Sequence, residues 1–342
     1  MASIKDVAKL AGVSIATVSR FMADPNSVHT NNRERVRQAI ADTGYAPNAL
    51  ARNFRRGRTG QVMVVLPDVG DPFLSGIMKG ISQAAGQEGF SLLILEVALN
   101  TRSWEDYRSM VLSKQADGII LMAGMRSTEP APNPRPVDQH APIVLVCENV
   151  PPQLGHFPNV RIDNVAAARD ATRHLVHQGH RKIAFIAGPD ASTVATDRKQ
   201  GYRQAMDGAG LKPPKYRVIP GAPGLAKARA ATRKLIEHKS PPTAILCCDD
   251  EMAIGAMHEI KGAGLRIPED VSVLGFNDIR YAEVLDPPLT TIAQPAQSIG
   301  ERAMLRLSRV IAGIDTDPEA DIVPHKLIVR GSTGAPDESR FS

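Results

Sequence analysis

From Gln61 onward, short apolar runs recur along the chain, most of them ending in glycine, proline, a carboxylate or an amide: QVMVVLPD, FSLLILEV, DGIILMAG, PIVLVCEN, KIAFIAGP, TAILCCDD and VSVLGFND. Runs of this length are strands of a buried sheet bounded by turns. They carry almost no polar alternation, so each strand has to be covered on both faces. Amphipathic helical patterns such as SGIMKGISQAAGQEG stand between them. Strands that alternate with helices build parallel sheets with helices on either side, so the body is expected to be α/β. A weak internal repeat points to two lobes. GISQAAGQEGF from Gly80 matches GYRQAMDGAGL from Gly201, and Pro67 precedes Gly80 by the distance at which Gly188 precedes Gly201. Either both lobes begin with the same strand, loop and helix, or the match is a chance coincidence of glycine and alanine.

The first sixth of the chain is different. Residues 1–60 hold 10 Lys and Arg against 4 Asp and Glu, and the remainder holds 31 against 32. All the excess positive charge therefore lies at one end, which suits a nucleic-acid-binding head on a near-neutral body. IKDVAKLAGVSIATVSR reads as helix, tight turn, helix. Ile4, Val7, Ala8 and Ala11 recur at helical spacing, Gly12 makes the corner, and Ser14 caps a second helix from about Ile15 to Met22. Ala8 allows close approach of the two helices and Val18 packs inward. A third helix starts at Thr30 or Asn31, turns Val36, Ala39 and Ile40 inward and ends at Gly44, with Arg33, Arg35 and Arg37 on or beside its outer face. This is the helix-turn-helix pattern, whose second helix enters the major groove. Next, Asn48 can cap a helix over Ala49–Phe54, but Gly57 and Gly60 end it, and so short a helix is unstable alone in water.

IKDVAKLAGVSIATVSR followed by GYAPNALARNF resembles the head of the lactose-repressor/galactose-repressor family of transcription regulators, and the likeness continues nearly to the C-terminus. VVLPDVGDPF, DPPLTTIAQPAQSIGERAM and LIVRGST are nearest to its cytidine-repressor branch. The resemblance implies a homodimer on a near-palindromic double-stranded DNA operator. It implies that the short segment is a hinge helix, ordered in the minor groove when two copies lie side by side, with Asn48, Ala51, Arg52, Phe54 and Arg55 at that contact. Phe54 stands where the family wedges a leucine between base pairs. Ile15 and Ala16 open the recognition helix and are expected to meet bases, while Arg20 can grip guanine O6 and N7. Thr17, Ser19, Asn31 and Tyr45 are expected on phosphates, which position without specifying.

The resemblance also implies a body like that of periplasmic sugar-binding proteins, in which the chain crosses between lobes several times. The crossings are placed near Arg161, Ala293 and Ile322. The expected organisation is a head over 1–47, a hinge over 48–60, and a body over 61–342. The N-lobe of that body takes about 61–161 and 294–321, and the C-lobe about 162–293 and 322–342. Ligands of open α/β sheets bind at the carboxyl ends of strands. Those ends offer Asp71, Phe73, Glu148, Asp163, Ser192, Arg198, Asp249 and Asn277. Carboxylates, an arginine and an amide around one aromatic suit a small polar effector, a nucleoside or a sugar. Phe73, Asp163, Arg198, Asp249 and Asn277 match the family's effector-contacting positions, although relatives often carry Asp at the last. Ser192 and Gly124 stand where purine-binding relatives have Arg and Ser, so a purine base is not expected. Asp163, Asn164 and Asp250 have a simpler reading as helix caps, and Asp278 as a turn residue.

The alternatives are a solute-binding protein, or a metal-dependent sugar or nucleoside enzyme using the same cleft. Asp249, Asp250 and Glu251 are adjacent and point in different directions, and neither a phosphate loop nor a nucleophile elbow accompanies them. His174, His177 and His180 look like a metal stripe, but Gly179 is expected to end their helix and leave solvated surface histidines. No catalytic residue, metal or cofactor is expected. Cys147, Cys247 and Cys248 lack the spacing of a disulfide framework or metal site and are read as small buried residues. MASIKDVAKL has no apolar signal core and no run is long enough to span a membrane, so a cytoplasmic location is expected. The polar tail GAPDESRFS carries no leucine heptads for tetramerisation.

Overall fold

The computed structural model describes residues 2–45, 57–97, 102, 104–122, 141–148, 157–189, 192–220, 224–314 and 319–337. Asn48, Ala51, Arg52, Phe54 and Arg55, expected at a hinge, and Gly124 lie outside the described residues. The chain separates into two compact units, Met1–Thr59 and Gly60–Ser342.

In the first unit, α1 (Ile4–Ala11), α2 (Ile15–Ala23) and α3 (Thr30–Thr43) surround a small core of Val7, Ala8, Ala11, Val18, Phe21, Val28, Val36 and Ala39. Ser3 and Asp6 form a capping box at the start of α1, with the Asp6 carboxylate accepting from the Ser3 N–H at 2.9 Å. Gly12 turns the corner at φ 61°, and Ser14 then caps α2 by accepting from the Thr17 N–H at 3.1 Å. Two of the arginines expected on the outer face of α3 have internal work. Arg33 donates to the Val28 carbonyl at 3.2 Å, and Arg35 reaches the Gly12 carbonyl at 3.5 Å.

The second unit holds two six-stranded sheets. The first contains β1 (Gln61–Leu66), β2 (Ser91–Glu96), β3 (Gly118–Leu121), β4 (Ile143–Val146), β5 (Asn159–Arg161) and β11 (Ala320–Ile322), in the order β11-β5-β4-β3-β1-β2. The second contains β6 (Ile183–Ile186), β7 (Val218–Ile219), β8 (Ala244–Cys247), β9 (Ser272–Asn277), β10 (Thr290–Ala293) and β12 (Lys326–Ile328), in the order β12-β10-β9-β8-β6-β7. The two orders are the same when counted from each lobe's first strand. All pairings are parallel except β12 on β10. Strand alternation splits the first sheet cleanly. Met63, Val65, Ile119, Leu121, Ile143 and Leu145 face a cluster with Tyr107, while Val62, Val64, Leu66, Ile120, Val144 and Val146 face the main core. The chain passes between the two sheets after Arg161, Ala293 and Ile322.

The repeated glycines mark the tightest helix crossings. In the first lobe α4 (Pro72–Glu88) lies against α10 (Ala296–Ile311), and a Cβ on Gly80 would overlap the Gln297 carbonyl. In the second, α6 (Asn164–His177) lies against α7 (Thr193–Gly208), and a Cβ on Gly201 would overlap the Val165 carbonyl. The matched sequence segments therefore do the same mechanical job in each lobe, and coincidence does not account for them. The outer helices are α5 (Trp104–Leu112), α8 (Leu225–Ile236) and α9 (Asp250–Gly262).

The histidine reading needs correction. Helix α6 does stop before Gly179, but His180 is fully buried instead of solvated. Its Nε2 faces the Gly334 carbonyl at 2.9 Å, so that nitrogen carries the proton, and Nδ1 meets the Thr243 hydroxyl at 2.9 Å. His174, half-buried, meets the Thr333 hydroxyl at 3.1 Å. Both rings tie the segment after β12 to the second lobe, and His177 alone of the three is exposed. No helix among the described residues is long and apolar enough to cross a membrane.

Candidate functional site

Two places concentrate chemistry. On the head, helix α2 buries Val18 and presents Ile15, Ala16, Ser19 and Arg20 on its outer side. Residues spaced i, i+1, i+4 and i+5 share one helical face, so the expected base readers and Ser19 form a single surface. Ile15 remains 45% exposed, which leaves its apolar side chain free to meet a thymine methyl. The Thr17 hydroxyl is bonded to Ser14 at 2.9 Å and half-buried, so its first structural duty is at the cap. Asn31 is exposed at the start of α3, and Tyr45 is half-buried against the head core.

In the body, the strand ends of both sheets carry polar residues that sense one another across the lobes. Arg198, on α7, is the hub and is only 5% exposed. Its Nε donates to Asn164 Oδ1 at 2.9 Å, Nη1 donates to the Cys248 carbonyl, and Nη2 reaches Asn277 Oδ1 at 3.5 Å. Its guanidinium also lies 3.6 Å from the centre of the Phe276 ring. Asn277 sits at φ 111° and accepts a second bond from Gln294 at 2.7 Å. Glu148, at the end of β4 in the first lobe, accepts a bond from the Thr193 hydroxyl in the second. Burial pushes the Glu148 carboxyl up, and the Thr193 bond and the charge of Arg198 partly oppose that. Asp71 is raised by burial as well, with the backbone N–H groups of Phe73 and Leu74 opposing it. Asp249 is likewise raised by burial, with Asp71 of the other lobe adding to it and Arg198 acting against.

Several expected contacts turn out to hold helix ends. Asp71 caps α4, accepting from Phe73 N–H at 2.7 Å and Leu74 N–H at 3.2 Å. Asp163 caps α6 through the Ala166 N–H at 2.9 Å, and Ser192 caps α7 through the Ala195 N–H at 3.2 Å. Asp249 caps α9 through the Met252 N–H at 2.7 Å. The cap reading given to Asp250 therefore belongs to its neighbour. Asp250 is fully buried and turns inward, where it accepts from the Ile279 N–H at 2.8 Å and the Thr291 hydroxyl at 2.6 Å. Phe73, expected as a stacking face, packs into the main core with 8% of its surface exposed. Asp278 holds a turn at φ 56° and pairs with Arg330 at 2.7 Å.

Sequence reasoning missed Thr193, Phe276, Gln294 and Thr291. Thr193 and Gln294 sit next to loops with no distinctive pattern. Phe276 had a signal, since it is the one aromatic residue of its strand, next to Asn277 at the strand's end. The described residues contain no group of three or more His, Cys, Asp or Glu side chains placed to hold a metal ion.

Comparison with known proteins places this geometry. Residues 3–48 match the model for bacterial regulatory proteins of the lacI family, and residues 172–333 match a periplasmic binding protein-like domain. The HTH-type transcriptional repressor CytR of Escherichia coli strain K12 is 36% identical over 98% of this chain and 97% of its own. Among solved structures, the lac repressor dimer bound to operator and the anti-inducer ONPF superposes with a TM-score of 0.83 at 26% identity, covering 98% of this chain and 99% of that one. The transcriptional regulator CelR in complex with cellobiose gives a TM-score of 0.71 at 30% identity, over 97% of this chain and 100% of that one.

Proposed function

We propose, for a chain that belongs to the lacI family of bacterial regulatory proteins, that a nucleoside or sugar bound between the two lobes sets its affinity for a DNA operator. The protein is a sequence-specific DNA-binding regulator, not an enzyme, and acts as a repressor. Two copies place their heads on the half-sites of a near-palindrome. Ile15, Ala16 and Arg20 read bases, and Thr17, Ser19, Asn31 and Tyr45 hold phosphates. The hinge spans 48–60, with Asn48, Ala51, Arg52, Phe54 and Arg55 at the minor groove. The head is 1–47 and the body 61–342. The N-lobe is about 61–161 and 294–321, and the C-lobe about 162–293 and 322–342. The protein works in the cytoplasm, where its operator lies.

The observation that carries the effector half is the pairing across the lobes. Glu148 of one lobe bonds Thr193 of the other, and Asp71 of the first shares its electrostatic surroundings with Arg198 and Asp249 of the second. Acceptors and one buried cation converge at the carboxyl ends of two parallel sheets, where α/β folds take their ligands. Asp71, Phe73, Glu148, Asp163, Ser192, Arg198, Asp249 and Asn277 line or brace that site. Closing the lobes on a ligand changes their relative rotation, and with it the spacing of the two hinges. A thermal-shift screen of nucleosides and sugars tests the reading. A ligand that binds only the folded body raises Tm with its concentration. A hit that then leaves operator affinity unchanged would refute the regulatory half.

A further inference from the structure

We propose that the second lobe carries a phosphate-binding site at the end of its sheet remote from the cleft, built on Arg217 with Ser240 and His238. The site suits a free phosphate ion or the phosphate group of a small molecule. The parallel strands β6, β7 and β8 run from this end toward the cleft, so the two places lie on opposite edges of one sheet. The inference stands apart from the effector reading.

Three connections enter the sheet at this end: residues 178–182 before β6, 209–217 before β7 and 237–243 before β8. They adjoin, because Val218 lies beside Phe185 and Ala244 beside Ile183. Together they hold Arg181, Lys182, Lys212, Lys215, Arg217 and Lys239 against Glu237 as their one carboxylate. Among the described residues none of these cations forms an ion pair. Surface lysines are ordinarily solvated and do not by themselves mark a site. Arg217 is different, because only 7% of it is exposed. Its Nη2 donates to Ser240 Oγ at 3.3 Å, its buried Nε has no acceptor, and its guanidinium lies 5.6 Å from the centre of the Tyr216 ring. A guanidinium withdrawn from water without a counter-charge is costly. Other buried charges of this lobe are matched. Arg198 has three acceptors and a ring face, Glu259 takes Arg229 and Arg233, and Asp270 takes Arg266.

Ser240 frames the site. Its Oγ takes the bond from Arg217, its carbonyl accepts from the Tyr216 hydroxyl at 3.3 Å, and its N–H donates to His238 Nδ1 at 3.1 Å. With Nδ1 accepting, the neutral His238 ring carries its proton on Nε2. That ring is held in place by stacking on Tyr216, with centroids 3.8 Å apart. The Ser240 hydroxyl hydrogen and His238 Nε2–H are then donors with no acceptor among the described residues, beside an arginine that lacks a counter-ion. Lys215 and Lys239, both exposed, flank this frame along the chain. A carboxylate would use the arginine fork and little else. A tetrahedral dianion takes the fork, the hydroxyl and the ring N–H together, with the lysines adding to the field.

Thermal unfolding of the full-length protein at constant ionic strength tests the site, with inorganic phosphate titrated in one series and glycerol 3-phosphate in another, against glycerol as the blank. Binding to the folded state raises Tm along a saturating curve. Exclusion of phosphate from the protein surface raises it too, but without saturation and equally in every variant. The expected result is a saturable rise in the unmodified protein that is lost in R217M. In K215Q/K239Q, whose changes lie at exposed positions, half-saturation should need a concentration higher on the order of several-fold. This second variant decides the matter if R217M does not fold. Saturation by inorganic phosphate would identify the free ion as sufficient, and saturation by the ester alone would identify a phosphorylated small molecule; either supports the site. A rise without saturation, or one with the same midpoint in the variants as in the unmodified protein, would overturn it.

Discussion

Asp250 and His180 are two buried titratable groups of the second lobe, and their shifts tilt stability in opposite directions. Burial lowers His180 from its ordinary 6.5 to about 4. Between those values the unfolded ring is protonated and the folded ring is not, so stability falls as pH drops from 6.5 to about 4. Burial raises Asp250 from 3.8 to about 7, against its bonds from Thr291 and Ile279. Here the folded state keeps its proton longer, so stability falls as pH rises from 3.8 to about 7. The two windows overlap and the slopes oppose one another, so across roughly pH 4 to 6.5 His180→Gln should shift the stability slope toward falling with rising pH, and Asp250→Asn should shift it toward rising with rising pH. Urea unfolding at a series of pH values measures both, and an unaltered slope in either variant would contradict its assignment. Arg20 belongs to the same scale. It is exposed on the outer face of α2, and on the proposed reading Arg20→Ala should cost about 1–3 kcal/mol on the operator and relax one base position. An equal loss on random DNA would instead make it a phosphate contact.

At the scale of elements, the packing of α6 on α7 depends on a missing side chain. Gly201→Val places branched carbon against the Val165 carbonyl and the Arg169 N–H, both of them backbone that cannot step aside. We expect destabilisation of about 1–3 kcal/mol or more, as for other overpacked interiors. Gly208 on the same helix has open space around it, so Gly208→Ala should stabilise by about 0.4–1 kcal/mol through the unfolded chain. Denaturant midpoints of the two variants should therefore move in opposite directions. Equal shifts would mean that the crossing tolerates a side chain and that the glycine serves another purpose.

For the whole molecule, the proposed control of operator binding by an effector makes the two affinities reciprocal by thermodynamic linkage. An effector that weakens operator binding tenfold must itself bind tenfold more weakly to the operator-bound dimer. Titrating ligand into the protein alone and into its operator complex checks this directly. A ligand whose two affinities agree cannot release DNA by binding this protein, so that outcome would refute the proposed control by that ligand.

Period and spacing alone determined the large features. Apolar runs without polar alternation demanded sheets covered on both sides, and a basic helix-turn-helix pattern at one end demanded a separate head, because these are properties of neighbouring residues along the chain. The same local logic found Ser14 as a cap, and Gly80 and Gly201 as equivalents. Which carboxylate does which work was decided only in three dimensions. Asp249 and Asp250 are adjacent in sequence, and cap geometry takes the first while Ile279 and Thr291, from two other segments, draw the second into the core. His180 is buried because Thr243, Ser272 and Gly334, up to 154 residues away, supply its partners. Glu148 finds Thr193 only because the chain crosses to a second sheet between them. A hydrogen bond depends on distance in space, and a sequence records distance along the chain.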